Sequence, residues 1–151
     1  MTVALRLASE HDLPRILEIE RACFGGDAWD ERLFRAYLAR CPLFFLVATA
    51  RRRTVGYAIG CRTGRRGEVE SIAVEPQRAR RGIGTMLLRS VIDALVADGA
   101  ASVGLVVEAD NAAAIALYRS LGFVRTRTLR NYYGRHRDGW RMRLNLTEPR
   151  P

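Results

Sequence analysis

In the segment SIAVEPQRARRGIGTMLL a strand signal passes into a helix signal through a glycine-containing turn, which leaves backbone N–H groups at the helix start free to meet an anion. Arg78, Arg80 and Arg81 crowd that positive helix end. In an empty site each would cost about 0.3–1 kcal/mol against the helix dipole, a conflict that a bound pyrophosphate relieves. No G-K-[ST] follows, so the turn is not a P-loop, and a lone G-x-G fits an ordinary strand-to-helix turn equally well. Just upstream, Glu68 and Glu70 stand two residues apart in a strand and therefore share one face. Cys23, Cys41 and Cys61 lack C-x-x-C spacing and only His11 and His136 offer imidazole, so no metal site is expected. All three cysteines read as buried, reduced thiols, because free Cys behaves as a small apolar residue.

The elements that must position these groups alternate along 151 residues. Residues 3–7 alternate as a first strand, Ser9 caps a helix through Cys23, and Gly25-Gly26 stops it. Leu13, Ile16, Ile19, Glu20 and Cys23 fall at helical spacing. Asp30 caps a second amphipathic helix that ends before Pro42. Strands over 43–48 and 54–61 form a hairpin with an Arg-rich tip, and a strand over 67–74 ends at Pro76. A long helix from near Gly82 stops at Gly99, a strand covers 102–108, and a helix opens near Asp110 and Asn111 and closes at Gly122. Two last strands, about 123–128 and 141–146, flank the loop NYYGRHRDGW. This order predicts an α/β (α+β) fold: a mixed, mostly antiparallel sheet of about seven strands with four helices on its two faces.

No repeat or linker divides the chain, so one domain is expected over 2–146, with a short polar tail at 147–151. No apolar run approaches the roughly 20 residues of a membrane span, and charge at Arg6 and Glu10 leaves no room for a secretion signal, which points to the cytoplasm. The formal charge of +9 and pI near 10.6 raise the possibility of a nucleic-acid partner. Every basic side chain is Arg, none is Lys, and only 51–53 and 78–81 cluster. That distribution reflects codon usage at least as much as a ligand, and nucleic acid is not the expected partner.

Together with LVVEADNAAAIALYRSLGF downstream, the phosphate turn resembles the acetyl-CoA-binding core of the GNAT N-acetyltransferases. IERACFGGDAW and LRNYYGRHRDGWRMRL are similar to the ribosomal-protein-alanine N-acetyltransferase branch. The resemblance implies that the backbone of Ile72, Ala73 and Val74 pairs with pantetheine, and that N–H groups of Arg80, Arg81, Gly82, Ile83, Gly84 and Thr85 hold the pyrophosphate. It also implies that Asn111 contacts the cofactor and that Tyr118 protonates the leaving thiolate. The acceptor is placed between 25–29 and 131–137, where Trp29, Tyr132 and Tyr133 could line it. For Tyr118 and the other aromatics plain packing is the competing reading, and for Asn111 a helix cap.

Two positions depart from the family pattern. Ala79 stands where the phosphate loop usually has Gln or Arg, and Val106 stands where the alanine enzymes place a glutamate base, five residues before the asparagine. Glu108 shares Val106's face about 6–7 Å further along, and with Glu68 and Glu70 it is a candidate catalytic carboxylate. A peptide α-amine, with a pKa of about 7.7–8.0, is roughly a tenth neutral at pH 7, so it tolerates a weak base better than lysine does. The implied reaction is direct attack of a primary amine on acetyl-CoA. A protein N-terminus is the first acceptor expected, a small-molecule amine the second, and a non-catalytic module binding CoA or nucleic acid is the reading from another class.

Overall fold

The apolar stripe of helix α1 (Leu13–Phe24) seats Leu13, Ile16, Leu17 and Ile19 against the sheet, each contributing about 1.5–3 kcal/mol by burial. In this computed structural model, which describes residues 2–79 and 81–146, the helix begins later than the sequence suggests. Ser9 starts a 3₁₀ turn, Glu10–Asp12, pinned by Asp12 Oδ2 accepting from the Ser9 N–H at 2.8 Å. Asp12 also takes both terminal nitrogens of Arg6, and this partnership holds its carboxyl below the usual range although burial alone would raise it. Helix α2 (Glu31–Arg40) is capped by Asp30, whose Oδ1 accepts from Leu33 N at 3.0 Å.

Strands β1 (Val3–Leu7), β2 (Phe45–Ala50), β3 (Arg53–Thr63), β4 (Arg66–Val74), β5 (Ser102–Glu108), β6 (Val124–Gly134) and β7 (Arg137–Asn145) form one seven-stranded sheet. Their spatial order is β1-β2-β3-β4-β5-β7-β6, and only β4–β5 is parallel. Helix α3 (Ile83–Ala97) and helix α4 (Ala112–Ser120) pack into one buried cluster with Leu105, Phe123 and Met142. Helices α1 and α2 cover the other face, where Phe34, Phe45 and Tyr57 are buried. The mixed sheet with four α-helices among the described residues is the expected architecture.

Three local expectations are corrected. Pro42–Phe44 is a 3₁₀ turn and not the start of a strand, so β2 runs two residues later than expected. The stretch anticipated as a loop over 131–140 is almost all strand, because Asn131 and His136 adopt positive φ and the loop's polar groups bond to its own backbone. Asn131 N donates to Asp138 Oδ1 and His136 N to Asn131 Oδ1, each at 2.9 Å. Third, Cys41 and Cys61 form a disulfide, with Cα atoms 5.5 Å apart, where the end of α2 meets β3. Cys23 is exposed and free, so none of the three matches the expected buried, reduced thiol. The expected tail at 147–151 lies outside the described residues.

Candidate active site

Parallel pairing between β4 and β5 lasts only from Arg66↔Ser102 to Glu68↔Gly104, after which the two strands part. Ile72, Ala73 and Val74 remain paired to β3 on one side, and among the described residues they have no strand partner on the other. The gap opens into a cleft of about 1050 Å³ whose lining includes Glu70, Ile72, Val106 and Tyr118. Backbone groups left without a sheet partner at a cleft wall suit an extended ligand that adds itself as a strand.

At the end of β4 the chain turns through Pro76–Arg78 into α3. The N-cap of α3 is Gly82 with φ of +81°, a conformation that favours glycine, and no side chain caps the helix. No acidic residue occupies the first turn, so the N–H groups of Ile83, Gly84 and Thr85, which lack intrahelical acceptors, suit an anion. A Cβ on Gly84 would meet nothing closer than Leu117 and Val74 at 3.8 Å, which leaves room for a ligand against the backbone. Arg81 is exposed, Arg78 lies 3.5 Å from Glu75, and Arg80 falls outside the described residues.

Helix α4 carries the next two groups. Asn111 caps it, its Oδ1 accepting from Ala114 N at 3.2 Å, while the residue also borders the cleft. Tyr118 is only 7% exposed and its ring lies 6.0 Å from that of Phe123, yet it lines the cleft. Packing and cleft lining are therefore both true of it. Burial pushes its phenol up to about 12, and among the described residues the hydroxyl has no hydrogen-bond partner. The phenol therefore keeps its proton at neutral pH.

The three candidate carboxylates all reach the cleft, in different states. Glu68 is tied to Arg141, whose Nη1 donates to Oε1 at 3.0 Å. Glu108 is gripped by Arg137 through Nε and Nη2 at 3.0 and 2.9 Å, which lowers its pKa. Among the described residues Glu70 has no ion pair and accepts only from the Tyr37 hydroxyl, at 3.2 Å; burial raises its pKa. Its place is set by a bulge, because the register passes from Ile59↔Ser71 to Gly60↔Val69 and leaves Glu70 as the extra residue of β4. Val106 presents no carboxylate, and it faces Arg141 across β5–β7.

The far end of the cleft lies between the connection 25–29 and the β6–β7 hairpin. Trp29 stacks on Tyr37 with ring centroids 5.3 Å apart, and Tyr132 and Tyr133 meet edge-to-face at 5.0 Å on the hairpin. Arg137 bridges the two walls: its Nη2 reaches Asp27 Oδ2 at 2.6 Å while the same guanidinium holds Glu108. Gly139 lets the hairpin approach, since a Cβ there would lie 3.1 Å from Val106 Cγ1 and 3.2 Å from Tyr132 Cβ.

Residues 13–123 match the model of the acetyltransferase (GNAT) family. This chain belongs to the GNAT family. It is 39% identical to the [ribosomal protein bS18]-alanine N-acetyltransferase of Salmonella typhimurium, over 85% of this chain and 86% of that one. It is 37% identical to the N-alpha-acetyltransferase RimI of Mycobacterium tuberculosis, over 97% and 95%. The crystal structure of the Escherichia coli ribosomal-protein-S18-alanine N-acetyltransferase superposes with a TM-score of 0.86 at 31% identity, covering 99% of this chain and 97% of that one.

The chain is thus an N-acetyltransferase that uses acetyl-CoA. The parted strands, the uncapped α3 and the open backbone at Gly84 fit that cofactor, while Ala79 removes one polar side chain from the phosphate end. Tyr37, Asp27 and Arg141 also line the cleft of this GNAT, and no sequence motif singles them out. The signal for one further group was present: Glu20 is a charge on the buried stripe of α1.

Proposed function

We propose that this GNAT acetylates protein N-terminal α-amines, with a ribosomal protein beginning in alanine as the leading acceptor. The observation that carries this reading is the likeness, over more than four-fifths of both chains, to an enzyme named for that reaction. We place the activity in one domain over 2–146, acting in the cytoplasm, where new ribosomal proteins are met.

When bound, acetyl-CoA supplies an activated acetyl thioester. In the proposed scheme Ile72, Ala73 and Val74 offer their unpaired backbone edge to the pantetheine, and N–H groups from Arg81 to Thr85 hold the pyrophosphate. Asn111 borders the thiol end. Trp29, Tyr132 and Tyr133 flank the acceptor. The neutral amine attacks the acetyl carbon, a C–N bond forms and the C–S bond breaks. Tyr118 gives its proton to the departing sulfur. Glu70, through water, takes the proton lost by the nitrogen, because it is the one of the three candidates that forms no arginine ion pair among the described residues. Solvent then returns a proton to Tyr118.

The test is coenzyme A release from acetyl-CoA with an alanine-initiated ribosomal-protein peptide, the same peptide N-terminally blocked but containing lysine, and a panel of small amines. Turnover of the free N-terminus alone is expected. Turnover of a small amine with both peptides untouched would move the acceptor to the metabolite class.

A further inference from the structure

Glu20 is the only charged side chain on the buried stripe of α1, at 2% exposure, and no cation pairs with it among the described residues. A carboxylate in that position is costly unless donors meet it. Two do. Its Oε2 accepts the backbone N–H of Trp29 at 2.9 Å, and its Oε1 accepts the hydroxyl of Tyr57. Tyr57 is fully buried on β3, shares a hydrogen bond with Ser71 at 3.3 Å, and presents its ring edge-on to Phe34 at 5.5 Å. Burial raises the pKa of both partners, so the phenol keeps its proton and donates it.

The tether to Trp29 matters because of what precedes it. The connection 25–29 opens with Gly25-Gly26, the least constrained pair a chain can carry, and its own backbone bond is the local Ala28 N to Gly25 O at 3.1 Å. Gly25 N–H reaches back to Arg21 O, Asp27 meets Arg137, and the Trp29 indole packs on Phe34 and Tyr37; Glu20 adds the one side-chain hydrogen bond to the connection's backbone among the described residues. From Trp29 the contacts run on without a gap. The indole stacks on Tyr37 at 5.3 Å with an interplanar angle of 17°, and the Tyr37 hydroxyl donates to Glu70. Glu20, Trp29, Tyr37 and Glu70 line the same cleft.

We infer that Glu20 is a positioning residue: by holding the Trp29 N–H it fixes the Trp29–Tyr37 acceptor wall and, through Tyr37, the aim of Glu70. The inference rests on the acceptor end and the Glu70 role proposed above. It assigns Glu20 to acceptor binding and not to acetyl-CoA binding, and it makes reach, not charge, the property that counts.

Two conservative variants separate reach from charge. In E20Q the amide oxygen can still accept from Trp29 N–H and the amide NH₂ can donate to the Tyr57 oxygen, so the tether survives without the charge. In E20D the charge survives and the side chain is one methylene too short. The expected acceptor-peptide KM is within about twofold of wild type for E20Q and raised about tenfold for E20D, the scale of one buried hydrogen bond. The KM for acetyl-CoA stays unchanged in both. Hydrogen exchange of the Trp29 amide, measured without acceptor, should stay protected in E20Q and lose protection in E20D. The reverse order of KM values, equal effects of the two variants, or an equal rise in the acetyl-CoA KM would overturn the assignment. If wild type acetylates no N-terminal peptide, the acceptor reading fails, and the exchange comparison alone decides whether Glu20 is the tether.

Discussion

Tyr37 on α2 and Glu70 on β4 meet at 3.2 Å, hydroxyl to carboxylate, at the wall of the cleft. Each of the other two candidate carboxylates is held by an arginine, Glu68 by Arg141 and Glu108 by Arg137. Glu70 is instead paired with a neutral phenol, and burial raises its pKa.

Glu70→Gln should therefore lower turnover of an N-terminal peptide more than Glu68→Gln or Glu108→Gln, and by a pH-dependent amount. With roughly a tenth of an α-amine neutral at pH 7, the loss is about tenfold there and nearly vanishes at pH 9. In wild type the rate falls as pH drops through the raised pKa of Glu70, because the carboxyl protonates. A pH–rate series on the three variants measures this.

Tyr118→Phe removes the proton donor without emptying its place beside Phe123. Turnover should fall about 10²–10⁴-fold while acetyl-CoA affinity, read by calorimetry, stays within a few-fold. Since burial pushes the phenol up to about 12, wild-type activity should show no loss from Tyr118 ionisation until pH approaches that value.

Arg137→Ala cuts the bridge between the connection 25–29 and the hairpin. Hydrogen bonding to Arg137 depresses the carboxyls of both Asp27 and Glu108 in the folded protein. Groups with depressed folded pKa values stabilise above their unfolded pKa values of about 3.9 and 4.3, and that contribution is lost as pH falls through the folded ones. The variant should melt lower than wild type near pH 7, with the gap closing on acidification below about pH 4. Because these groups are partly exposed, the gap should be small and shrink in high salt. Thermal melts at several pH and salt values check it.

Gly139→Ala forces a methyl to within 3.1 Å of Val106 and 3.2 Å of Tyr132. Both neighbours sit on strands that cannot easily give, so about 1–3 kcal/mol of stability should be lost, along with hairpin placement at the acceptor end. Denaturant unfolding and the acceptor KM report the two effects separately.

Elements with strong local signals were legible in the sequence. Asp30 and Asn111 cap the helices expected of them, Gly82 starts α3, and Glu68 and Glu70 share the cleft. What sequence patterning does not carry is pairing between distant segments. The bulge that isolates Glu70 arises in the β3–β4 register, the Cys41–Cys61 bond joins residues 20 apart, and Arg137 finds Asp27 across 110 residues. The hairpin 124–145 was obscured for another reason: Arg, Asn and Tyr fill an exposed strand whose outward residues have no apolar alternation to show. Glu20 was in plain view on an apolar helix face, but only its partners Trp29 and Tyr57 give it meaning.

The most direct test uses one synthetic peptide with a free N-terminal alanine and an internal lysine, incubated with the enzyme and acetyl-CoA, and fragmented by mass spectrometry to locate the acetyl group. A single acetyl on the alanine nitrogen, absent when Tyr118→Phe replaces wild type at equal protein and time, is the expected result. Acetyl on the lysine, or an unmodified peptide alongside turnover of a small amine, would contradict the assignment of this GNAT to protein N-termini.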